Sequence, residues 1–469
     1  MRVAVVGGGI SGLVAAYRLR TALDAAATIT ICEATGELGG KLRTGKLAGR
    51  AFDVGAEAFL ARRPEAVELA RELGLRAELT HPAPVSATVR AGGRTLPLPR
   101  HTVMGVPAAP DAVRDVLSAA GAAAVAAEAS LPGLSLPREA EGDVSLGELL
   151  RQRFGDELVD RLVDPLLAGV YAGGSDGLGM RATMPALAAA VDAGARSLTE
   201  AAANLLPSEP GGSPVFATLT GGLGTLVNRL AAASRAEVRF GAPVRALHRR
   251  GDGWRLVLGA VAAAHATADA ELDADAVVLA VPAPAASRLL AEVAQEASAA
   301  FAEVELASMA VVGLALPPRT ELPRASGVLI GEGELRADGT PFTAKAFTFS
   351  ARKWGHHAGQ GAPVLIRGSV GRFGDTAALR ARDEELVRLV RSDLAELTGC
   401  TAEPVDTLVQ RWGGGLPQYG VGHLRRVRRI ERAVAEIDGL EVAGATLHGV
   451  GIPACIATAD AAVARLVGR

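Results

Sequence analysis

Apolar positions crowd the start of the chain in an unbroken run. Val3-Ala4-Val5-Val6 has the continuous, β-branched character of a strand covered on both faces, as in a parallel sheet. It runs into Gly7-Gly8-Gly9-Ile10-Ser11-Gly12, and Leu13-Val14-Ala15-Ala16-Tyr17-Arg18-Leu19 then takes on helical spacing. Thr28-Ile29-Thr30-Ile31-Cys32 predicts a second strand, ending on Glu33. From about Leu96 to Gly174 strand patterning gives way to Ala/Leu helical stretches broken by Pro107, Pro110, Pro132 and Pro137. Ser145, followed three residues later by Glu148, predicts a serine-capped helix start. Thr220–Leu226 predicts another helix start. Val238-Arg239-Phe240, Pro243-Val244-Arg245, Trp254–Leu258 and Ala276–Val281 then restore strands. The first unit is therefore expected to be discontinuous, with other structure inserted between its parts.

Strand, glycine turn, helix, strand and acid come in the order that binds a dinucleotide. Gly7 allows the tight turn, Gly9 lets a pyrophosphate approach the backbone, and Gly12 lets helix and strand pack closely. The helix N-terminus offers unpaired N–H groups and the positive end of its dipole to the phosphates. Glu33, twenty-one residues after Gly12, is placed to accept hydrogen bonds from ribose hydroxyls. An acid there favours an unphosphorylated ribose, hence FAD or NAD rather than NADP. The fold class expected is α/β (α+β overall), with a Rossmann-like dinucleotide-binding domain and a helical insertion.

Composition narrows the field further. The 469 residues carry 49 Lys+Arg against 51 Asp+Glu, a net charge of −2, and 49% are hydrophobic. That excludes disorder as the main state and argues against a nucleic-acid binder, which would show a basic footprint. Cys32, Cys400 and Cys455 form no CxxC pair, so neither a zinc site nor a disulfide scaffold is expected, and a reducing compartment fits. Mean hydropathy is +0.25, yet no apolar run reaches the ~18 residues of a spanning helix, and the N-terminus enters a strand without a signal-peptide layout. A cytoplasmic location is expected, with soluble behaviour and peripheral membrane contact both compatible with the alanine-rich helical segment.

The residues after Glu33 separate FAD from NAD. Glu33-Ala34-Thr35-Gly36-Glu37-Leu38-Gly39-Gly40-Lys41 and the later Phe52-Asp53-Val54-Gly55-Ala56-Glu57 resemble the flavin amine oxidase superfamily, in which E-x(5)-GG[KR] and D-x-G come after the fingerprint. Farther along, Pro165–Gly173, Gly221-Gly222-Leu223, Trp412 with Leu416-Pro417-Gln418-Tyr419, His423, and Val442–Ala445 with Gly449–Ile456 resemble the protoporphyrinogen/coproporphyrinogen oxidases, in order and over essentially the whole chain. This resemblance implies non-covalent FAD held by Gly7, Gly9, Ser11, Gly12, Glu33, Ala34, Gly40, Lys41, the turn Gly55, Ala56, Glu57 and Ala58, then Val244, Trp412, Val450, Gly451 and Ile452. It implies residues 1–63, 216–285 and 436–469 as a Rossmann-like FAD-binding domain. The segments 64–86, 175–215 and 286–435 would form a mixed-sheet substrate domain, with 87–174 as the helical domain.

The implied activity is oxygen-dependent, six-electron oxidation of coproporphyrinogen III to coproporphyrin III in haem biosynthesis, by three FAD cycles that yield hydrogen peroxide. A protoporphyrinogen IX oxidase and another amine oxidase-type oxidoreductase, such as a phytoene-type desaturase, are the alternatives; a flavin-free scaffold is the reading from another class. Porphyrinogen and dioxygen are the expected partners, with a transfer partner in haem synthesis also in view. Substrate carboxylates need cations, and arginine binds them bidentately. Arg62, Arg63, Arg352 (or Lys353), Arg367 and Arg43 are the candidates, beside Gly169 and Ala172 of the Pro165–Gly173 stretch. No catalytic base is expected: His356-His357 reads as a solvated loop, and His423 and His448 as structural histidines.

Overall fold

The computed structural model describes residues 1–23, 25–139, 142–207, 214–259 and 271–468. Its centre is a five-stranded parallel sheet in the order Glu237–Arg239, Thr28–Cys32, Arg2–Val6, Ala276–Leu279, Leu440–Val442. Val3, Val5, Ile29 and Ile31 face one core, shared with the helices Ile10–Leu23 and Ile452–Val467. Ala4, Val6, Val277 and Leu279 face the other, with Trp254 and Leu256 of a three-stranded antiparallel sheet. Burial on both faces is why these strands read as continuous apolar runs. The strands come from widely separated stretches of chain, and two further layers grow from the segments between them.

One is a seven-stranded sheet in the order Asp406–Pro417, Leu306–Leu316, Val364–Val370, Ala344–Thr348, Gly327–Ile330, Thr88–Ala91, Arg94–Pro97. The other is helical, with Leu146, Leu150, Phe154, Leu162 and Leu167 in its core. Ser145 Oγ accepts from the Glu148 amide at 3.1 Å, the cap expected there.

Two segments sit differently from expectation. The hairpin Thr88–Ala91/Arg94–Pro97 falls inside the stretch 87–174 expected to be helical, yet Val328 pairs with Thr88 and the hairpin closes the edge of the seven-stranded sheet. The Gly92-Gly93 turn marks the hairpin itself in the sequence, but the strand it pairs with lies some 240 residues away. The helices Met180–Thr183, Pro185–Asp192 and Leu198–Leu205, expected with the substrate segments, bury Met180, Leu187, Val191 and Leu198 in the helical core instead. Among the described residues, no helix is long and apolar enough to cross a membrane.

Candidate functional site: a dinucleotide cradle beside a cation-rich sheet face

The three fingerprint glycines differ in what they exclude. Gly7 has φ +103°, and a Cβ there would lie 2.4 Å from the Ala280 carbonyl oxygen. At Gly12 a Cβ would lie 1.9 Å from the Gly7 carbonyl oxygen, so helix and turn pack too closely for any side chain. A Cβ at Gly9 meets no protein atom within 4 Å, so nothing in the chain itself requires glycine there, and the space beside the helix N-terminus is left open. The helix Ile10–Leu23 behind it has no acidic residue in its first turn, leaving the positive end of its dipole for phosphate. These residues fit the diphosphate of FAD.

Glu33 ties the fingerprint turn to the loop after the second strand. Its Oε2 accepts from the Gly8 amide at 2.8 Å, and Oε1 accepts from the Thr35 amide at 2.7 Å and the Thr35 hydroxyl at 2.8 Å. Its own carbonyl accepts from the Ala242 amide at 2.9 Å, which brings Pro243 and Val244 beside it, with Ala34 exposed next to them. The second glycine pair folds back onto the first: the Gly39 amide donates to Gly8 O at 2.8 Å, and a Cβ on Gly40 would stand 3.2 Å from the Gly9 Cα. We expect Glu33→Ala to weaken FAD by about 1–3 kcal/mol through lost charge-assisted hydrogen bonds, read as flavin released on equilibrium dialysis. Unchanged retention would remove Glu33 from the cofactor site.

Lys41 continues this edge. Burial, partly countered by nearby Cys455, holds its ammonium below the usual lysine range. The Lys41 carbonyl accepts from the Ala56 amide at 2.9 Å, and a Cβ on Gly55 would lie 1.8 Å from that carbonyl oxygen. Trp412 Nε1 donates to Val54 O at 2.8 Å, fixing the indole against this turn. Gly451 precedes the helix Ile452–Val467, whose first turn also lacks an acid, and Ser11 Oγ donates to Cys455 O at 3.1 Å. The two helix N-termini are thereby locked together. The fingerprint, the second glycine pair, the turn Gly55–Ala58 and Gly451-Ile452 are linked beyond the carboxyl end of the central strand Arg2–Val6, with Val450 packed against the helical layer.

The expected propionate cations do not gather in the same way. Arg367 is committed to the protein: it donates to Asp53 O at 2.7 Å and Gly55 O at 2.6 Å, and its Nε lies 3.8 Å from Glu57. Lys353 Nζ and Trp354 Nε1 donate to Glu57 Oε1 at 2.6 and 3.1 Å. Burial by itself would raise the Glu57 carboxyl, but Lys353 and Arg367 outweigh it and hold the group down at about 2. Glu57 is thus a half-buried anchor for the turn that carries it. Arg63 pairs with Glu65, Arg352 donates to Leu322 O at 3.3 Å, Arg43 pairs with Glu37 at 3.2 Å, and Arg62 is exposed.

Gly169 and Ala172 lie at the end of the helix Asp164–Tyr171. Ala172 is buried at φ +55°, Gln418 Nε2 donates to Tyr171 O at 2.7 Å, and the Phe373 amide donates to Ala172 O. These bonds present Val170 and Phe373, 39% and 38% exposed, as an apolar wall that sequence reading missed. Lys345 was missed too; it is buried on the seven-stranded sheet without a partner for its Nζ.

The histidines are structural or solvent-facing. His423 is buried, stacked on Tyr419 with centroids 3.9 Å apart, and bonded to Leu447 O; burial pushes it down to about 4. His448 meets Glu431 at 2.7 Å near the surface. His356 and His357 are half-buried against one another, with centroids 4.2 Å apart, rather than in a solvated loop. Among the described residues no group of His, Cys, Asp and Glu is arranged to hold a metal.

Comparison with known proteins agrees with this geometry. The family model described as "Flavin containing amine oxidoreductase" matches residues 10–467. The coproporphyrinogen III oxidase of Mycobacterium leprae (strain TN) is 43% identical over 462 residues, 98% of this chain and 97% of that protein. That of Bacillus subtilis (strain 168) is 32% identical over 474 residues, 98% and 97% of the two chains. The crystal structure of a putative protoporphyrinogen oxidase from Exiguobacterium sp. 255-15 superposes with a TM-score of 0.85 at 31% identity, covering 99% of this chain and 98% of that one.

Proposed function

Because the chain belongs to the family of flavin-containing amine oxidoreductases, matched over residues 10–467, we propose that it oxidises coproporphyrinogen III to coproporphyrin III in haem biosynthesis. The observation that carries this reading is 43% identity, sustained over 98% of the chain, to a protein with that activity in its name. FAD is the cofactor; when bound it accepts two electrons at a time and passes them to dioxygen, so three rounds remove six electrons and six protons and release three hydrogen peroxide.

The chain's own contribution is position and electrostatics. Gly9 and the two helix N-termini receive the diphosphate and the pyrimidine end of the flavin, and Glu33 with Val244 receives the adenosine. The turn Gly55–Ala58, pinned by Glu57 and Arg367, and the indole of Trp412 hold the flavin side of the cradle. Val170 and Phe373 offer apolar contact to a macrocycle. The division into FAD-binding, substrate-binding and helical domains belongs to the same proposal, with the hairpin 88–97 assigned to the substrate sheet and the helices 180–205 to the helical layer.

Under air, coproporphyrinogen III should become fluorescent coproporphyrin III with three hydrogen peroxide formed per ring. kcat/KM should exceed that for protoporphyrinogen IX. A clear preference for protoporphyrinogen IX would overturn the substrate and keep the family; no porphyrin from either would overturn the function.

A further inference from the structure

Lys345 lies on the strand Ala344–Thr348 with 3% of its surface exposed, and its Nζ has no hydrogen-bond partner. Leaving an ammonium in that position is unfavourable unless something pairs with it. The local backbone shows that the placement is built in. Ala344 pairs with Val370 and Ala346 with Ser369, so Lys345 is the extra residue of a β-bulge, a device that re-aims a side chain. Its neighbours Ala344 and Phe347 turn into the apolar core with Ile366, Val370 and Leu386. The bulge keeps Lys345 out of that core.

The charges that reach Lys345 are cationic. Burial first, then Arg372 and Arg367, push its ammonium down to about 7. Arg372 is itself largely buried, and its Nη2 donates to Ile330 O at 2.7 Å. The carboxylates of Glu332, Asp164 and Asp375 act on Arg372. Glu57 is held by Lys353, and Asp164 accepts from the Ser175 amide at 2.8 Å and faces Arg151 at 3.7 Å. On this side of the sheet Arg367 reaches the turn Asp53–Gly55 of the cradle, and the helix Asp164–Tyr171, which ends at Ala172, packs over the strand of Lys345. A cation without its anion therefore sits between the flavin-side turn and the helix end that presents Val170.

We propose that Lys345, backed by Arg372, holds a propionate of the substrate and thereby selects a ring with a carboxylate on every pyrrole over one with vinyl groups on two. This rests on the reading of the chain as a porphyrinogen oxidase. Coproporphyrinogen III carries four propionates, whereas protoporphyrinogen IX carries two, so a cation at the vinyl-bearing end would discriminate between them. The carboxylate supplies the charge that Lys345 lacks in the free protein.

Lys345→Met and Lys345→Arg test this in the FAD-loaded enzyme. Lys345→Met should lower kcat/KM for coproporphyrinogen III by roughly 10- to 100-fold, mainly through KM, as expected for a lost charge-assisted hydrogen bond. The value for protoporphyrinogen IX should change less, and Lys345→Arg should recover part of the preference. Because an unpaired buried ammonium is removed, thermal stability and flavin content should not fall. Binding of coproporphyrin III, measured against its tetramethyl ester, should lose its preference for the free acid in Lys345→Met. An unchanged substrate ratio and an unchanged acid-to-ester ratio would overturn the proposal, as would equal losses on both substrates through kcat. A fall in stability with loss of flavin would make Lys345 a structural cation instead. A wild-type enzyme that oxidises neither ring yet prefers the free acid would sink the functional reading and keep the carboxylate site.

Discussion

Gly12→Ala is expected to yield colourless, destabilised protein, while Gly9→Ala yields stable protein that binds FAD poorly. Both changes add one methyl group within a six-residue loop, and neither position has a positive φ, so backbone conformation does not separate them. What separates them is the neighbour. At Gly12 the new Cβ would lie 1.9 Å from Gly7 O, 3.1 Å from Gly7 C and 3.2 Å from Val5 Cγ1. The first two contacts are backbone, which cannot swing aside, so the helix Ile10–Leu23 must move off its strand. Leu13, Val14 and Leu19 are fully buried on that helix, and displacing them opens the core around Ile456 and Leu226. Overpacking of this kind costs about 1–3 kcal/mol or more. The same movement shifts the helix N-terminus proposed to face the phosphates. At Gly9 the Cβ meets nothing in the protein, so Tm of the flavin-stripped protein should match wild type. In the proposed cofactor site the methyl group projects toward the diphosphate, so FAD affinity should fall by roughly 1–3 kcal/mol, the scale of overpacking a close contact. Thermal melts with and without added FAD separate the two effects. Equal loss of apo stability in both variants would refute this division of roles.

How far the site was legible depends on how local its parts are. Gly7, Gly9, Gly12 and Glu33 could be read because a strand, a turn and a helix fix their geometry within thirty residues. Gly39-Gly40 was legible as a motif, and its reason is the fold-back onto Gly8 and Gly9. The cations were not. Arg367 and Glu57 are 310 positions apart in the chain, and Lys353 and Glu57 are 296 apart, so nothing in the sequence shows that these charges neutralise one another. Read singly, Arg367 is a free arginine; in the fold it braces a turn. Lys345 carries no such signal. Nothing in Thr343-Ala344-Lys345-Ala346-Phe347 marks the lysine as buried, and the one-residue bulge that turns it away from the apolar core of Ala344 and Phe347 is not legible in the sequence. The hairpin 88–97 and the helices 180–205 were misplaced for a related reason. Their residues specify the element well enough, but not which of two neighbouring cores receives it.

Glu57→Gln should destabilise the protein by about 3 kcal/mol, the low end of the range for removing one partner of a buried ion pair, because all three charged groups are partly exposed. The reason is what it leaves behind. Lys353 and Arg367 are 22% and 13% exposed, and both would keep their charge with no carboxylate between them. The same group sets an acid limb on stability. Its ordinary value of 4.5 is lowered to about 2 in the folded chain, so the unfolded state binds the proton more readily. The resulting stabilisation, roughly 3 kcal/mol from the size of that displacement, is fully present above pH 4.5 and is lost as pH falls toward 2. Urea midpoints at pH 7, 4.5 and 3 measure it: wild type should lose stability over that range, and Glu57→Gln should lose less because it has no proton to take up there. Lys353→Met combined with Glu57→Gln should cost less than the sum of the two single changes, since the double variant no longer strands the lysine. The functional consequence runs through the turn. Arg367 donates to Asp53 O and Gly55 O while leaning on Glu57, so neutralising Glu57 frees the arginine that clamps the turn proposed to hold the flavin. FAD should therefore dissociate faster from Glu57→Gln even at pH 7, where the protein is still folded. If flavin release is unchanged while stability falls, the carboxylate holds the fold together without shaping the cofactor site.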